Sequence, residues 1–327
     1  MNNIPKKILI IRFSSIGDIV LCSPLIRCLK QKYPDAELCF LTKKIFRDLV
    51  VHHPNISKVF SYKNSLNEII SLLKLENFDL VIDLHNNFRS KMIRFLLGGK
   101  SLVYKKGNAH KFSLVLLKKS PFENEHVVER YFESVACLNI YNDGKGLSVF
   151  ISNEMEQNYM PKIKSIGNKY AVLVLGTNHF TKTIPINKLE EIVEKIDCPI
   201  VLLGGNDQLE IGNQLSLKFP NLNNQVAQTN LLESALWIKH AQYIITPDTG
   251  MMHFATAFHK KIYVIWGSTV PAFGFWPYYG SKNEVRSIDI IVPNLSCKPC
   301  SRMGKSTCPK GHFKCMNDQD FTNIIFE

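Results

Sequence analysis

Two spacings of apolar residues alternate along the chain. Short, nearly unbroken apolar runs are followed by stretches where apolar residues return every three or four positions. KILIIRF (7–13), AELCFLT (36–42), FDLVIDL (78–84) and SLVYK (101–105) read as strands, with helical spacing at 19–33, 65–76, 87–97 and 125–139. Residues 141–168 are rich in turn formers, have weak periodicity and read as a linker. The pattern then restarts: strands at 169–176, 199–205, 242–246 and 261–267, and helices near 186–196, 207–218, 230–241 and 249–258. Strands that are apolar at almost every position are buried on both faces, which implies parallel sheets covered by helices. Two β/α sets of similar size predict an α/β protein with two Rossmann-like domains facing across a cleft, at 1–160 and 161–327.

In such sheets, ligands bind beyond the carboxyl ends of the strands. The residues there are Ser14-Ser15-Ile16-Gly17-Asp18 and Asp83-Leu84-His85-Asn86 in the first half. In the second half they are Gly176-Thr177-Asn178-His179, Gly204-Gly205-Asn206-Asp207, Thr246-Pro247-Asp248-Thr249-Gly250 and Gly267-Ser268-Thr269. One polar strand end is ordinary turn chemistry. All of these together predict a site lining both sides of the cleft.

Asp18 has two readings. As a helix cap it would satisfy free N–H groups and meet the helix dipole, for about 1 kcal/mol. As an ionised carboxylate on a tight turn it would serve as a base, with Gly17 allowing substrate to approach closely. Asp248, Thr249 and Gly250 open a helix directly after a strand, where backbone N–H groups hold an anion such as a diphosphate. Asp248 then orients the loop and Thr249 adds a hydroxyl. His253, one turn later, is either a packed helix residue or a donor contact. Lys182, in GTNHFTKTIP (176–185), would offset leaving-group charge. Asp207 would accept from a ribose or cap a helix. No Walker or GxGxxG nucleotide loop is present, which argues against kinase and dehydrogenase chemistry.

Composition narrows the partners. The 327 residues are 45% hydrophobic and carry a net charge of +12, which favours acidic partners. Nothing approaches the roughly 18–20 uninterrupted apolar residues of a membrane span. The apolar run behind Lys6 and Lys7 is broken at Arg12, too soon for a signal-peptide core, so the expectation is a cytoplasmic protein. No helix-turn-helix, zinc-finger or aromatic single-strand platform appears, so no nucleic-acid partner is expected. Cys22, Cys28, Cys39, Cys137 and Cys198 sit in apolar contexts. Cys297, Cys300, Cys308 and Cys315 cluster in CKPCSRMGKSTCPKGHFKC (297–315). That cluster is either a structural zinc site or reduced thiols packed in a loop.

Several segments together resemble the heptosyltransferases, glycosyltransferase family nine. They are RFSSIGDIVLCSPLIRCLKQKYPDAELCFLT, DLVIDLHNNFRS, HVVERYFE, HFTKTIP, LLGGNDQLEIG and ITPDTGMMHFATAFHKKIYVIWGSTVP, in family order and at family spacing. The resemblance implies a GT-B fold and inverting, metal-independent transfer of heptose from ADP-heptose to the inner core of lipopolysaccharide, on the cytoplasmic face of the inner membrane. It makes Asp18 the general base and Lys182 a catalytic, donor-binding residue, with Asp248, Thr249 and Gly250 on the donor diphosphate. Thr177, Asp207 and His253 join the expected donor set. Ser15, Gly17, Asn86, Arg89 and Lys91 form the expected acceptor set, within a basic patch that includes Arg94, Lys105, Lys106 and Lys111 and suits a phosphorylated acceptor in an anionic membrane. The family's tryptophan is missing from KTIP (182–185), so another sugar nucleotide is the alternative donor. A zinc-tailed nucleic-acid-binding protein is the alternative of another class.

Overall fold

The computed structural model describes residues 4–119, 125–167, 169–281 and 287–327. Contacts divide the chain into two units. One is Met1–Lys106, Glu125–Ser152 and Gly280–Lys282; the other is Gly107–Asn124, Asn153–Tyr279 and Asn283–Glu327.

The first unit carries strands β1 (Lys7–Ile11), β2 (Glu37–Lys43), β3 (Lys58–Tyr62), β4 (Leu80–Asp83) and β5 (Lys100–Val103). They form one sheet in the order β3-β2-β1-β4-β5, parallel throughout. The second carries β6 (Ala171–Val174), β7 (Ile200–Leu203), β8 (Leu222–Asn224), β9 (Tyr243–Pro247), β10 (Lys261–Trp266) and β11 (Ser287–Ile291). Their order is β11-β10-β9-β6-β7-β8, again parallel. This is the α/β architecture expected from the alternating pattern. The central strands are buried along nearly their whole length, as their unbroken apolar runs require.

Each strand order reverses direction once, between β1 and β4 and between β6 and β9. Such a reversal splays the connections to opposite sides and opens a crevice at the carboxyl ends. Asp18 follows β1 and Asn86 follows β4; Lys182 follows β6 and Asp248 follows β9.

Several elements differ from expectation. The predicted helix at 19–33 is two helices, Ile16–Val20 and Ser23–Lys32, the second opening with Pro24 in its first turn. Gly17 and Asp18 therefore lie inside the first turn rather than ahead of it. The stretch expected as linker, 141–168, holds the helix Asn153–Lys164, with Asn168 outside the described residues. Its partly buried face is Met155, Tyr159 and Ile163, spaced four apart. Glu156 pairs with Lys239 at 2.6 Å and His240 at 2.8 Å, and Tyr159 meets the ring of Trp237, so this helix belongs to the second unit. The helix Asn108–Leu117 belongs there too: His110 Nε2 lies 2.8 Å from Ala272 O and Lys111 sits over the Phe275 ring. A single cut after residue 160 is thus not how the contacts fall.

Candidate functional site

In the first unit the site is built on Arg12, at the end of β1. A charged residue here, only 7% exposed, has to be paired. Its Nη2 lies 2.6 Å from Asp18 Oδ1, its Nε donates to Ser14 O at 2.8 Å, and its Nη1 donates to Leu84 O beyond β4. The Tyr131 ring lies beneath the guanidinium. One arginine thus ties both strand ends of the crevice to the aspartate. The other oxygen, Asp18 Oδ2, accepts from Ser15 N at 3.1 Å and Ser15 Oγ at 2.9 Å. Asp18 does cap its helix, by reaching back to Ser15, and its side chain stays 19% exposed.

Burial opposes ionisation of Asp18. The Arg12 guanidinium and the two Ser15 donors outweigh it and lower the carboxyl to about 2. The sign follows directly: the pair's contribution to stability is present above the ordinary value of 3.8 and is lost as pH falls toward 2. Arg12→Met removes the dominant opposing charge and leaves burial, so the carboxyl moves up. If Asp18 is a catalytic base, a wild-type turnover profile shows no acid limb from it above pH ~4, whereas Arg12→Met gains one, with kcat rising as pH rises. A flat profile for the variant would contradict this account of Asp18.

The β4 end is held by a second buried carboxylate. Asp83 Oδ1 accepts from His85 N at 3.0 Å and Asn86 N at 2.7 Å, while Asn86 Nδ2 donates to Tyr104 O at 2.8 Å. Asn86, at φ +44°, therefore builds the turn. Arg94 Nε lies 2.9 Å from Asp83 Oδ2, so its charge faces inward, not out to the expected basic patch. Arg89 and Lys91, on the helix Phe88–Leu97, are exposed, as is Ser15, while Gly17 is buried.

In the second unit, Lys182 Nζ lies 2.7 Å from Asp248 Oδ2, and Thr269 Oγ1 donates to the same oxygen at 2.7 Å. The two partner side chains are 12% and 15% exposed. Burial again opposes the charge, but Lys182, Thr269 and nearby His253 keep the Asp248 carboxyl below its usual range. Thr249 caps the helix Gly250–Ala257, its hydroxyl accepting from Met251 N at 3.0 Å. A helix start of this kind offers its first-turn amides to an anion. The structure thus joins Lys182, Asp248, Thr249 and Gly250 at one switch point. His253 is buried within the same helix. Thr177 closes a local turn with His179 N at 2.9 Å, and Asp207 is exposed in the turn after β7.

Residues 67–310 match the model of glycosyltransferase family 9 (heptosyltransferase). The chain belongs to glycosyltransferase family 9. It is a glycosyltransferase with the GT-B fold. Among its relatives, lipopolysaccharide heptosyltransferase 1 of Campylobacter coli is 26% identical over 295 residues, 80% of this chain and 84% of that one. The structure of the E. coli ADP-heptose lipopolysaccharide heptosyltransferase II superposes with a TM-score of 0.68 at 19% identity, covering 95% of this chain and 98% of that one. The E. coli heptosyltransferase WaaC with ADP-2-deoxy-2-fluoro heptose gives 0.67 at 18% identity, over 91% and 96%.

Three side chains of this family 9 enzyme's site were not singled out from the sequence as site residues. Arg12 was visible as the charge that breaks the apolar run at the end of β1. Thr269 stands at a noted strand end. Gln208, 3% exposed, gave no such signal; its Nε2 donates to Thr177 O at 3.1 Å and its Oε1 accepts from Gly205 N at 3.0 Å, tying the β6 and β7 ends together. The tail brings the cluster's cysteines near one another, with Cys297 Sγ 3.9 Å from His312 Nε2. Among the described residues, no three His, Cys, Asp or Glu side chains are placed to hold a metal. Cys315 is buried in the apolar core, which pushes its thiol up to about 12, and Cys308 packs against that core.

Proposed function

We propose that this enzyme transfers heptose from ADP-heptose to a hydroxyl of the lipopolysaccharide inner core, with inversion at the anomeric carbon. The Lys182–Asp248 pair beside the capped start of helix Gly250–Ala257 carries the reading, because it is a cation and an amide-lined turn suited to a leaving diphosphate. The relatives act on lipopolysaccharide by name, and a similar structure holds an ADP-heptose analogue, which supports this donor over others.

The acceptor hydroxyl loses its proton to Asp18 as its oxygen bonds to the anomeric carbon. The bond from that carbon to the diphosphate oxygen breaks on the opposite face, and its electron pair leaves with ADP. Asp18 suits this step because it is ionised throughout the physiological range. Lys182 and the first-turn amides near Gly250 receive the developing negative charge. Asp248 holds the ammonium in place and Thr269 holds Asp248. Arg89 and Lys91 offer exposed charge to an anionic acceptor.

The lipid-borne acceptor places the enzyme on an anionic membrane face. Among the described residues, no helix is long and apolar enough to cross a membrane. The helix Asn108–Leu117 turns Phe112, Leu116 and Leu117 to solvent, followed by exposed Lys118 and Lys119. With a net charge of +12, co-sedimentation with anionic vesicles should weaken as salt rises. Phe112→Ser/Leu116→Ser should reduce it further; unchanged binding would remove this helix from the contact.

The donor assignment is tested by calorimetry with ADP, GDP, UDP and CMP. Selective binding of ADP supports it. Preference for another nucleotide replaces the donor.

A further inference from the structure

We propose that the cysteine-rich tail is a positioning element for the donor site, with segment 300–305 pinning the turn that carries Lys182. This inference rests on the reading of Lys182 as the contact to the donor diphosphate.

Lys182 lies in a single 3₁₀ turn, Phe180–Lys182, which makes few bonds of its own. The tail supplies the rest. Thr181, 1% exposed, is bound on three sides. Its N–H donates to Lys305 O at 3.1 Å, and its hydroxyl accepts from Lys305 N at 2.8 Å and Ser268 Oγ at 2.9 Å. Its carbonyl accepts from Ser268 N at 3.1 Å. The neighbouring Phe180 ring stacks on Phe313 of the tail with centroids 4.8 Å apart.

The approach is close enough to demand glycine twice. A Cβ on Gly304, at φ +110°, would lie 2.6 Å from His179 Cβ and 3.0 Å from Lys182 Cδ. A Cβ on Gly267 would lie 2.6 Å from both Thr181 O and Met316 Cε. The tail is in turn fastened to the end of β10. Cys300 N donates to Ser268 O at 3.2 Å and Lys298 Nζ donates to Trp266 O at 2.7 Å. Cys315 and Met316 are buried in the second unit's core. The lysine turn is therefore held between β10 and the tail, and Thr181 is the positioning residue that joins them.

The test compares four full-length variants for ADP affinity by calorimetry, for donor and acceptor KM and kcat, and for thermal unfolding. Lys182→Ala should weaken ADP binding. Thr181→Val keeps the volume but loses the hydroxyl, and should weaken ADP about tenfold while leaving acceptor KM unchanged. Thr181→Ser keeps the hydroxyl and should stay within about twofold of wild type. Gly304→Ala, at the surface end of the clamp, should weaken ADP in the same direction as Thr181→Val, and serves if Thr181→Val fails to fold. If Lys182→Ala weakens ADP but neither Thr181→Val nor Gly304→Ala does, the positioning role is overturned. If Lys182→Ala itself binds ADP as wild type does, the donor reading fails and this inference falls with it.

Discussion

Asp18→Asn removes turnover and leaves the fold and ADP binding close to those of the wild type. Asn has nearly the same shape, caps a helix almost as well and still offers an oxygen to Arg12. Arg12 keeps its bonds to Ser14 O and Leu84 O but loses its counter-charge, so the variant should stay folded with a lowered melting temperature. What the amide cannot do is take a proton. Losing a general base costs about 10²–10⁴ in rate, and that loss should fall on kcat. ADP affinity should not follow, because the donor residues are carried by the other sheet. Turnover within a few-fold of wild type would reduce Asp18 to its capping role.

Lys182→Ala loses more than an attraction. In the wild type the ammonium lies against Asp248 Oδ2 and balances it. Without it, an ionised and largely buried carboxylate faces the incoming diphosphate. Removing a donor to developing negative charge typically costs about 10²–10³ in kcat, and here ADP binding should weaken as well. Lys182→Ala/Asp248→Asn should recover part of the lost ADP affinity, because the repulsion is gone, but not the rate. Wild-type ADP affinity in the single variant would contradict the donor assignment.

The fold was legible where burial dictates the sequence. β1, β2, β4, β6, β7, β9 and β10 are apolar at nearly every position because both faces are covered. Of the edge strands, β5 was read as SLVYK, but β3, β8 and β11 were not legible. β8 is Leu-Asn-Asn, and β11 has one buried position, Ile290, so neither needs an apolar run. The helix Asn153–Lys164 was hidden by Pro161 and a mostly polar sequence, although Met155, Tyr159 and Ile163 mark its face.

The site followed the same division. Asp18, Lys182 and Asp248 could be proposed as site residues because they lie in the turns that follow apolar strands, where a parallel sheet meets its ligand. The residues that hold them could not. Arg12 reads as an interruption until the structure shows both strand ends bonded to it. Thr181 and Gly304 are separated by more than a hundred residues, and only the fold brings them together. Asn86 and Arg94 show the converse. Their residue types suit an acceptor surface, but Tyr104 O and Asp83 engage them.

The most direct test of the central claim is a transfer assay with purified enzyme, ADP-heptose and a heptose-deficient lipopolysaccharide acceptor, reading both ADP release and the anomeric configuration of the product. One heptose appearing on the inner core per ADP released, with inverted configuration, is the predicted result. No transfer from ADP-heptose, with turnover of another sugar nucleotide on the same acceptor, would contradict it.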